Sequence, residues 1–389
     1  MEKQTGKNSV SSKQYNRGLC LKLIATGMCN TRIELSRKTK LAKMTVSNIV
    51  SEFLERGIVM ECEEEPTEVC GRNPVILRIS GEAPKVVGLL IFRDRIEAVL
   101  GNLNLDILRK ESISFQEITE EKLKEYCCVV VDRVVEGENN IIGMGVSSIG
   151  PVDIQHGIIL NPTRFYGIRN VDIIDFLREK YLWPLYFDHD NNSAALAEKL
   201  YGIGKNKQDF LFLGISNGIG SGIISGGEVY HNQNGFAPEA GHISINYKGE
   251  RCECGNRGCL EKYVGSYIVL KKLQRVTGQK ITFEEFCQMG DNAGVDAVFR
   301  QMIENISAGA VNIVNILHPE MIVLGHDCID WDDKYVCYME DLVNERKVVR
   351  SQHRIAVRKA YFGRDAQLKG AMANVVNQIF KGELMFSQS

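Results

Sequence analysis

Long apolar runs are missing from this 389-residue chain. None approaches the ~18 consecutive apolar residues of a membrane-spanning helix, so no such span is expected. The opening stretch, MEKQTGKNSVSSK, carries charge but neither an apolar core region nor a small-residue cleavage site, and no secretory signal is read there. A cytoplasmic location with reduced thiols is the expectation. Excess charge of one sign is lacking as well: 47 basic side chains face 49 acidic ones, a formal balance of −2. Low-complexity segments and long linkers are also absent. With 44% hydrophobic and 25% charged residues, the composition is that of a chain that buries a sizeable core and does not stay disordered. Two or three domains are expected at this length.

The balanced charge conceals a division. Residues 1–60 hold eleven Lys or Arg against four Glu, a surplus of +7, which leaves −9 for residues 61–389. A basic head on an acidic body suits a polyanion partner for the head, because phosphate neutralisation by Lys and Arg supplies most non-specific affinity for DNA. A solvated basic face would give the same count.

Hydrophobic spacing divides the head into helices. Leu19, Leu21, Leu23 and Ile24 form an apolar cluster. Asn30 and Thr31 offer an N-cap for RIELSRK, in which Ile33 and Leu35 are the buried candidates. After a break at Thr39-Lys40, Val46, Ile49, Val50, Phe53 and Leu54 recur at helical spacing, and Gly57 closes the segment. Lys43, Thr45, Ser47 and Asn48 remain on the outward face near the helix start. Two short helices and a tight turn make a helix-turn-helix, whose second helix fits a major groove and can reach base edges with such side chains. Any small helical bundle is the alternative. Strand Ile58-Val59-Met60, the loop ECEEEPTEVCGRNP and the returning VILRIS would close a hairpin wing. There Arg72, beside Gly71, is the candidate for a minor-groove contact, and the glutamates would repel phosphate.

From residue 85 strands alternate with helices. KVVGLLIF, RIEAVLGNLN, LRKESISF, a helix over EEKLKEYCCVVVDRVVEG and strand NIIGMGVSSIG give a β-β-β-α-β order. A second such unit starts with DFLFLGIS, a turn NGIGSG and IISGGEVY, and ends on strand MIVLG. The repetition predicts a duplicated α/β fold around a central cleft.

Chemistry concentrates in three places. Nine of the twelve cysteines are scattered, while Cys252, Cys254 and Cys259 fall within eight residues, ten residues or more after His242. Three thiolates and one imidazole satisfy tetrahedral zinc, and Gly255 and Gly258 let Cys254 and Cys259 converge. With all four positions supplied by the protein, such a zinc is structural; free core cysteines are the competing reading. In DHDNNSAALAEKLYGIG, Asp190 stands at the carboxyl end of a strand, where α/β proteins bind ligands and a carboxylate can accept a hydroxyl hydrogen bond. Helix capping by one of these acidic or amide groups explains the same residues. Finally, Asn217 to Gly222 (NGIGSG) reads either as a phosphate cradle or as an Asn-Gly hairpin turn.

Together these residues resemble the ROK family of repressors, open reading frame proteins and sugar kinases, over nearly the whole chain. Gly241-His242 with the run Cys252 to Glu261 is similar to its zinc element, LGISNGIGSGIISGGEVYHNQNGFAPEAGH to its glycine-rich signature, and PEMIVLG and RDAQLKGAM to its ending. SRKTKLAKMTVSNIVSEFLERGIV followed by GRNP resembles the winged helix of the repressor branch, which includes xylose and N-acetylglucosamine regulators and which the kinases lack. The resemblance implies a winged helix-turn-helix over 1–80, then a two-lobed actin-like, sugar-kinase-like (ribonuclease H-like) α/β fold. Its first lobe would span 81–198 plus 366–389, and its second, with the zinc site, 199–365. It further implies that Asp190 matches the proton-accepting base of the kinases, and that Glu239, His242 and Glu261 match the other sugar contacts. His189 replaces the usual Asn before that aspartate, and Ala237-Pro238-Glu239 the usual Ala-Gly-Glu. Where the kinases carry Asp-x-Gly-Gly-Thr for the ATP phosphates, this chain has Leu90 at the Asp position, Phe92 and Arg93 at the glycines and Asp94 at the threonine. Positioning and electrostatics are nearly all of phosphoryl-transfer catalysis, so kinase activity is not expected. The implied function is a sugar-responsive regulator, a repressor by family resemblance. It would act as a homodimer or homotetramer on an inverted-repeat operator and respond to a sugar or sugar phosphate. A sugar kinase with an appended DNA-binding head is the alternative.

Overall fold

The computed structural model describes residues 9–63, 75–289, 292–350 and 353–385. The head consists of α1 (Ser9–Ala25), α2 (Arg32–Thr39) and α3 (Lys43–Glu55). A capping box starts α2: the Thr31 hydroxyl accepts the Glu34 N–H, and the Glu34 carboxylate accepts the Thr31 N–H. Lys40, in the left-handed region at φ 60°, ends it. Leu35, Val46, Ile49, Val50 and Phe53 are buried together, as their spacing predicts. Ile33 is not; it is 57% exposed. Two residues before Leu35 lies about 200° round the helix axis, so both side chains cannot share one face. Strands β1 (Val59–Glu63) and β2 (Val75–Ile79) pair antiparallel beside α3. The loop between them, with Arg72, lies outside the described residues.

The first α/β unit runs β3 (Lys85–Ile91), β4 (Arg95–Gly101), β5 (Ile107–Ser114), α4 (Glu120–Val135) and β6 (Ile141–Ser148). Three two-residue strands follow, β7 (Val152–Asp153), β8 (Ile158–Ile159) and β9 (Val171–Asp172), which form a small sheet of their own. Next come α5 (Ile173–Lys180), β10 (Leu185–His189) and α6 (Asp190–Leu200). The main sheet has the order β10-β6-β3-β4-β5. Here β3, β4 and β5 are antiparallel neighbours, and β3, β6 and β10 run parallel.

A second unit repeats this plan. It contains β11 (Phe210–Ile215), β12 (Ile219–Ser225), β13 (Glu228–Val229), α7 (Glu261–Val264), α8 (Ser266–Thr277), α9 (Phe283–Cys287) and α10 (Ala293–Leu317). It is completed by β14 (Met321–His326), α11 (Asp333–Arg346) and β15 (Ala356–Lys359), and α12 (Ala366–Lys381) returns the chain to the first unit. Its sheet order, β13-β12-β11-β14-β15, matches the first strand for strand in position and sense. The duplicated α/β fold expected from the sequence is therefore present.

At residues 217–222 the Asn-Gly hairpin turn is present but shorter than the six-residue turn expected: β12 already begins at Ile219, paired with Ile215, and only Ser216 to Gly218 make the turn. The glycines serve packing. A Cβ on Gly214 would lie 1.9 Å from Asn191 Oδ1, and one on Gly220 would lie 2.2 Å from Asn191 Nδ2. Without side chains there, the start of α6 can press against the β11–β12 hairpin.

Helix α6 is buried along its whole length, between α12 on one side and the second sheet on the other. One hydrophobic cluster runs from the head (Leu21, Leu35, Phe53) through the first sheet (Val86, Val146) to Phe380 on α12. The second unit has its own cluster around Leu211, Phe299 and Trp331. Among the described residues no helix is long and apolar enough to cross a membrane.

Candidate functional site

The carboxyl ends of β3, β6 and β10 face those of β11 and β14 across a cleft, the position at which open α/β sheets bind ligands. At its floor, β10 turns into α6 at His189. The imidazole, and not an acidic or amide side chain as expected, is the N-cap: its Nδ1 accepts the Asn191 N–H at 3.2 Å. Asp190 thus becomes the first helical residue, buried at the positive end of the helix. Its Oδ1 accepts from Asn191 Nδ2 at 2.7 Å, and His189 Nδ1 and His326 Nε2 lie 3.2 and 3.6 Å from its oxygens. Burial alone would raise its pKa, but His189, His326 and the Asn191 N–H outweigh it and hold the carboxyl below its ordinary value. His189 Nδ1 caps the helix when it holds a lone pair and pairs with Asp190 when it holds a proton, so it cannot do both.

Glu239 and Glu261 line the same small cavity, about 60 Å³, with Asp190, His242 and Arg93. Glu239 follows β13 in a loop fixed by the Ser221 hydroxyl, which donates to Pro238 O at 3.0 Å. Burial pushes its pKa up; His189 and His242 oppose that shift, and Asp190 and Glu261 add to it. The four residues matched to sugar contacts therefore converge, three carboxylates and an imidazole around one space. Such a set accepts hydrogen bonds from several hydroxyls at once, the chemistry of polyol recognition.

His242, Cys252, Cys254 and Cys259 place their ligand atoms within 4.8 Å of one another. Cys254 Sγ lies 3.6 Å from Cys259 Sγ, and Cys252 Sγ lies 3.7 Å from His242 Nδ1. Bond lengths of ~2.3 Å to sulfur and ~2.0–2.1 Å to nitrogen around a tetrahedral ion put such atoms about 3.6–3.8 Å apart. The group therefore fits a metal ion. Gly255 (φ +94°) and Gly258 (φ +64°) give the turn its left-handed bends, and a Cβ on Gly258 would lie 1.8 Å from Asn246 O. Burial, with the Cys254 and Cys252 thiols, pushes Cys259 up to about 12, a value that a bound cation would reverse. Glu261 Oε1 is 3.4 Å from Cys252 Sγ and 3.8 Å from His242 Nδ1, which joins the metal cluster directly to the cleft.

A larger cavity of about 550 Å³ adjoins the small one and shares Arg93, Ile149, Asp190, Ser216 and His326 with it. Phe92, Arg93 and Asp94, which stand where the family's kinases carry their phosphate motif, line this space and do not fill it; Leu90 is buried behind them in the first core. Sequence reading missed His326 and Arg164. His326 follows Gly325 at the carboxyl end of β14, a position of the kind that pointed to Asp190, but one histidine after an apolar strand carries no signal by itself. Arg164 comes from an irregular loop with no periodicity to read.

In the head, Lys43, Thr45 and Asn48 are exposed on α3 and Ser47 is half-buried. Arg37, Lys38 and Lys40 extend the exposed basic face at the end of α2, and Met44 stands 72% exposed among the polar residues of α3.

The ROK family model matches residues 86–378. A xylose repressor of Caldicellulosiruptor bescii is 26% identical over 96% of this chain and 98% of its own length. The crystal structure of a ROK family transcriptional regulator, a homologue of the Escherichia coli Mlc protein, superposes with a TM-score of 0.79 at 23% identity, over 96% of this chain and 98% of that one. A ROK hexokinase from Thermus thermophilus gives a TM-score of 0.63 at 25% identity, over 97% of its chain but only 75% of this one. The part left over is the size of the head plus a few loops. With a family model spanning both α/β units and a fold shared with regulator and kinase alike, this chain belongs to the ROK family.

Proposed function

We propose that the protein is a sugar-responsive, DNA-binding transcriptional regulator, a repressor of carbohydrate-utilisation genes. The observation that carries this reading is the continuous core between a helix-turn-helix and a polyol-type cleft. A basic head that only decorated an enzyme would not need to share its packing with the ligand-binding body. Lys43, Thr45, Ser47 and Asn48 would reach base edges, with Arg72 in the wing, and a homodimer or homotetramer would meet an inverted repeat. Functionally the chain divides into the head (1–80), a first lobe (81–198 with 366–389) and a second lobe (199–365).

In the cleft Asp190, Glu239, His242 and Glu261 would hold the sugar hydroxyls. Zinc, held by His242, Cys252, Cys254 and Cys259, would supply structural bracing, with no open position for substrate. His242 Nδ1 lies 3.7 Å from Cys252 Sγ, and with Nδ1 on the metal Nε2 would be left for the cavity that His242 also lines. The bracing would fix the orientation of a sugar-binding group. Ligand binding would shift the balance between DNA-competent and incompetent arrangements. Turnover of ATP is not part of this reading: Leu90, Phe92, Arg93 and Asp94 offer neither a metal-positioning carboxylate at the first position nor glycines for the phosphates.

Mobility-shift assays on the DNA upstream of the gene, with a sugar panel and a coupled ATPase assay run alongside, test the proposal. Specific, salt-sensitive retardation that one sugar relieves, without sugar-dependent ATP turnover, is expected. Absence of specific retardation at any salt removes the regulator reading. Hexose-dependent turnover that disappears in Asp190→Asn establishes the kinase instead.

A further inference from the structure

Among the described residues of the head, Met44 is the most exposed large apolar side chain, at 72%. Scattered exposed apolar residues are ordinary on a protein surface, so exposure alone means little. The setting separates Met44 from the others. Ile33 and Met60 each adjoin a glutamate, Glu34 and Glu61, and Arg32 beside Ile33 is itself paired with Glu61. Met44 adjoins Lys43 and Thr45, and α3 has no acidic residue in its first turn. The carboxylates of α3 come only at its far end, as Glu52 and Glu55, and Glu52 is paired with Arg17 at 2.7 Å and Arg56 at 3.4 Å.

Helical geometry fixes where this side chain points. The buried Val46, Ile49, Val50 and Phe53 lie about 140–240° round the helix axis from Met44, so Met44 faces directly away from the core. Ser47, Asn48 and Ser51, three, four and seven residues on, share its stripe and are small and uncharged. A hydrophobic staple at the start of α3 would use Leu41 and Val46, on either side of the Ala42 N-cap, and so has no place for Met44. Near the stripe, at the end of α2 and the start of α3, stand Arg37, Lys38, Lys40 and Lys43. All four are exposed, with no carboxylate in ion-pair contact among the described residues. A thioether among short hydroxyl and amide side chains, flanked by unpaired cations, suits a polyanion that also presents an apolar group.

In the major groove the apolar group that a base pair presents is the thymine 5-methyl. Hydroxyls and amides read donors and acceptors there, whereas a methyl is recognised by apolar contact, and the flexible, polarisable thioether of methionine adapts to its position. We infer that Met44 reads a base by packing on a thymine methyl, so that each half-site of the operator contains a thymine selected through that methyl. This contact rests on the DNA-binding reading of the head and names one base which that reading leaves open. Asn48, four residues further along the same stripe, lies ~6 Å from Met44 along the helix axis, close to two base-pair steps. The two side chains therefore address neighbouring base pairs, one by its methyl and the other by its hydrogen-bonding edge.

Selection of bound sequences from a random duplex pool by the full chain, followed by replacement of each thymine of the enriched site with uracil, tests this contact. Uracil keeps every hydrogen-bonding group of thymine and loses only the methyl. At one thymine in each half-site, the exchange is expected to weaken binding by the wild type about fourfold, the effect of one buried methyl. Met44→Ala should bind the thymine and uracil sites alike, at the level of the wild type on uracil, and Met44→Leu should keep most of the preference. Lys38→Gln, which removes a flanking cation, should weaken both sites equally and lower the salt dependence, because phosphate contacts carry no sequence information. Thermal melts confirm that each variant is folded; truncation of so exposed a side chain removes no packing. If no thymine responds to loss of its methyl, or if the response persists unchanged in Met44→Ala, the Met44 contact is overturned while the DNA-binding reading stands. If no sequence is enriched at any salt, the DNA-binding reading fails and takes the Met44 contact with it.

Discussion

At the scale of single residues, the informative ones have chemistry at odds with their surroundings. Asp190 is a buried carboxyl whose pKa is nevertheless held below its ordinary value, with two imidazoles and a helix N-terminus around it. Cys254 is the opposite case, an apolar-tolerant side chain left exposed. Replacing an exposed thiol by a hydroxyl removes no packing, so any structural consequence of Cys254→Ser reports on its role as a ligand. We expect the wild type to carry about one zinc per chain by elemental analysis, and Cys254→Ser to hold little, melt lower and respond poorly to sugar. A metal-free variant with an unchanged melting point and sugar response would mean that the cluster does not brace the cleft. This cluster was readable from spacing alone, since its soft donors lie close in sequence. Arg93 was readable only as a departure from a motif. Its place in the wall of the larger cavity depends on neighbours from loops far away in the chain.

Elements show how the site is assembled. Helix α6 carries Asp190 at its start, and the loop after β13 carries Glu239. A tie between the two regions lies just behind the site: His231 Nε2 meets Asp188 Oδ2 at 2.8 Å, and Asp188 Oδ1 accepts from Asn192 Nδ2 at 2.9 Å. Burial works against a charged ring, and Lys381 adds to that, but the Asp188 carboxylate outweighs both and the pKa of His231 rises above 6.5. A raised folded-state value means that the tie stabilises fully below about pH 6.5 and fades as pH climbs through that folded value. Melting curves should therefore show wild type above His231→Gln near pH 6, with the gap closing toward pH 9. A gap independent of pH would assign the contact to hydrogen bonding without charge. The sequence reading placed most strands and helices because their apolar spacing is regular. At residues 217–222 it placed the Asn-Gly hairpin turn but drew the turn too long, because Gly220 and Gly222 lie within β12, where close approach of α6 requires them.

The whole molecule joins a head to a body through one core. Helix α1 crosses α12 so closely that a Cβ on Gly18 would lie 2.4 Å from Phe380 O, and α12 in turn packs on α6 beneath the cleft. Arg56 Nη2 donates to Met385 O and Lys205 Nζ to Thr26 O, which adds two more links between head and body. This contiguous path offers a route for coupling, and full switching of a 99:1 population would need ~10⁴-fold ligand preference for one state. Gly18→Ala should lower stability by about 1–3 kcal/mol in urea denaturation, the usual effect of overpacking, and reduce the loss of DNA affinity that sugar causes. A variant as stable and as responsive as wild type would exclude the α1–α12 contact as the connection. The sequence by itself determined the head, the duplicated α/β plan, the family and the four residues of the candidate metal cluster, because periodicity and short spacing are local properties of a chain. Tertiary structure alone decided that His189 caps α6 and His326 stands beside Asp190, that arginines from distant segments line the larger cavity, and that the head packs into the body. Those facts depend on which distant segments touch, and no local pattern records them.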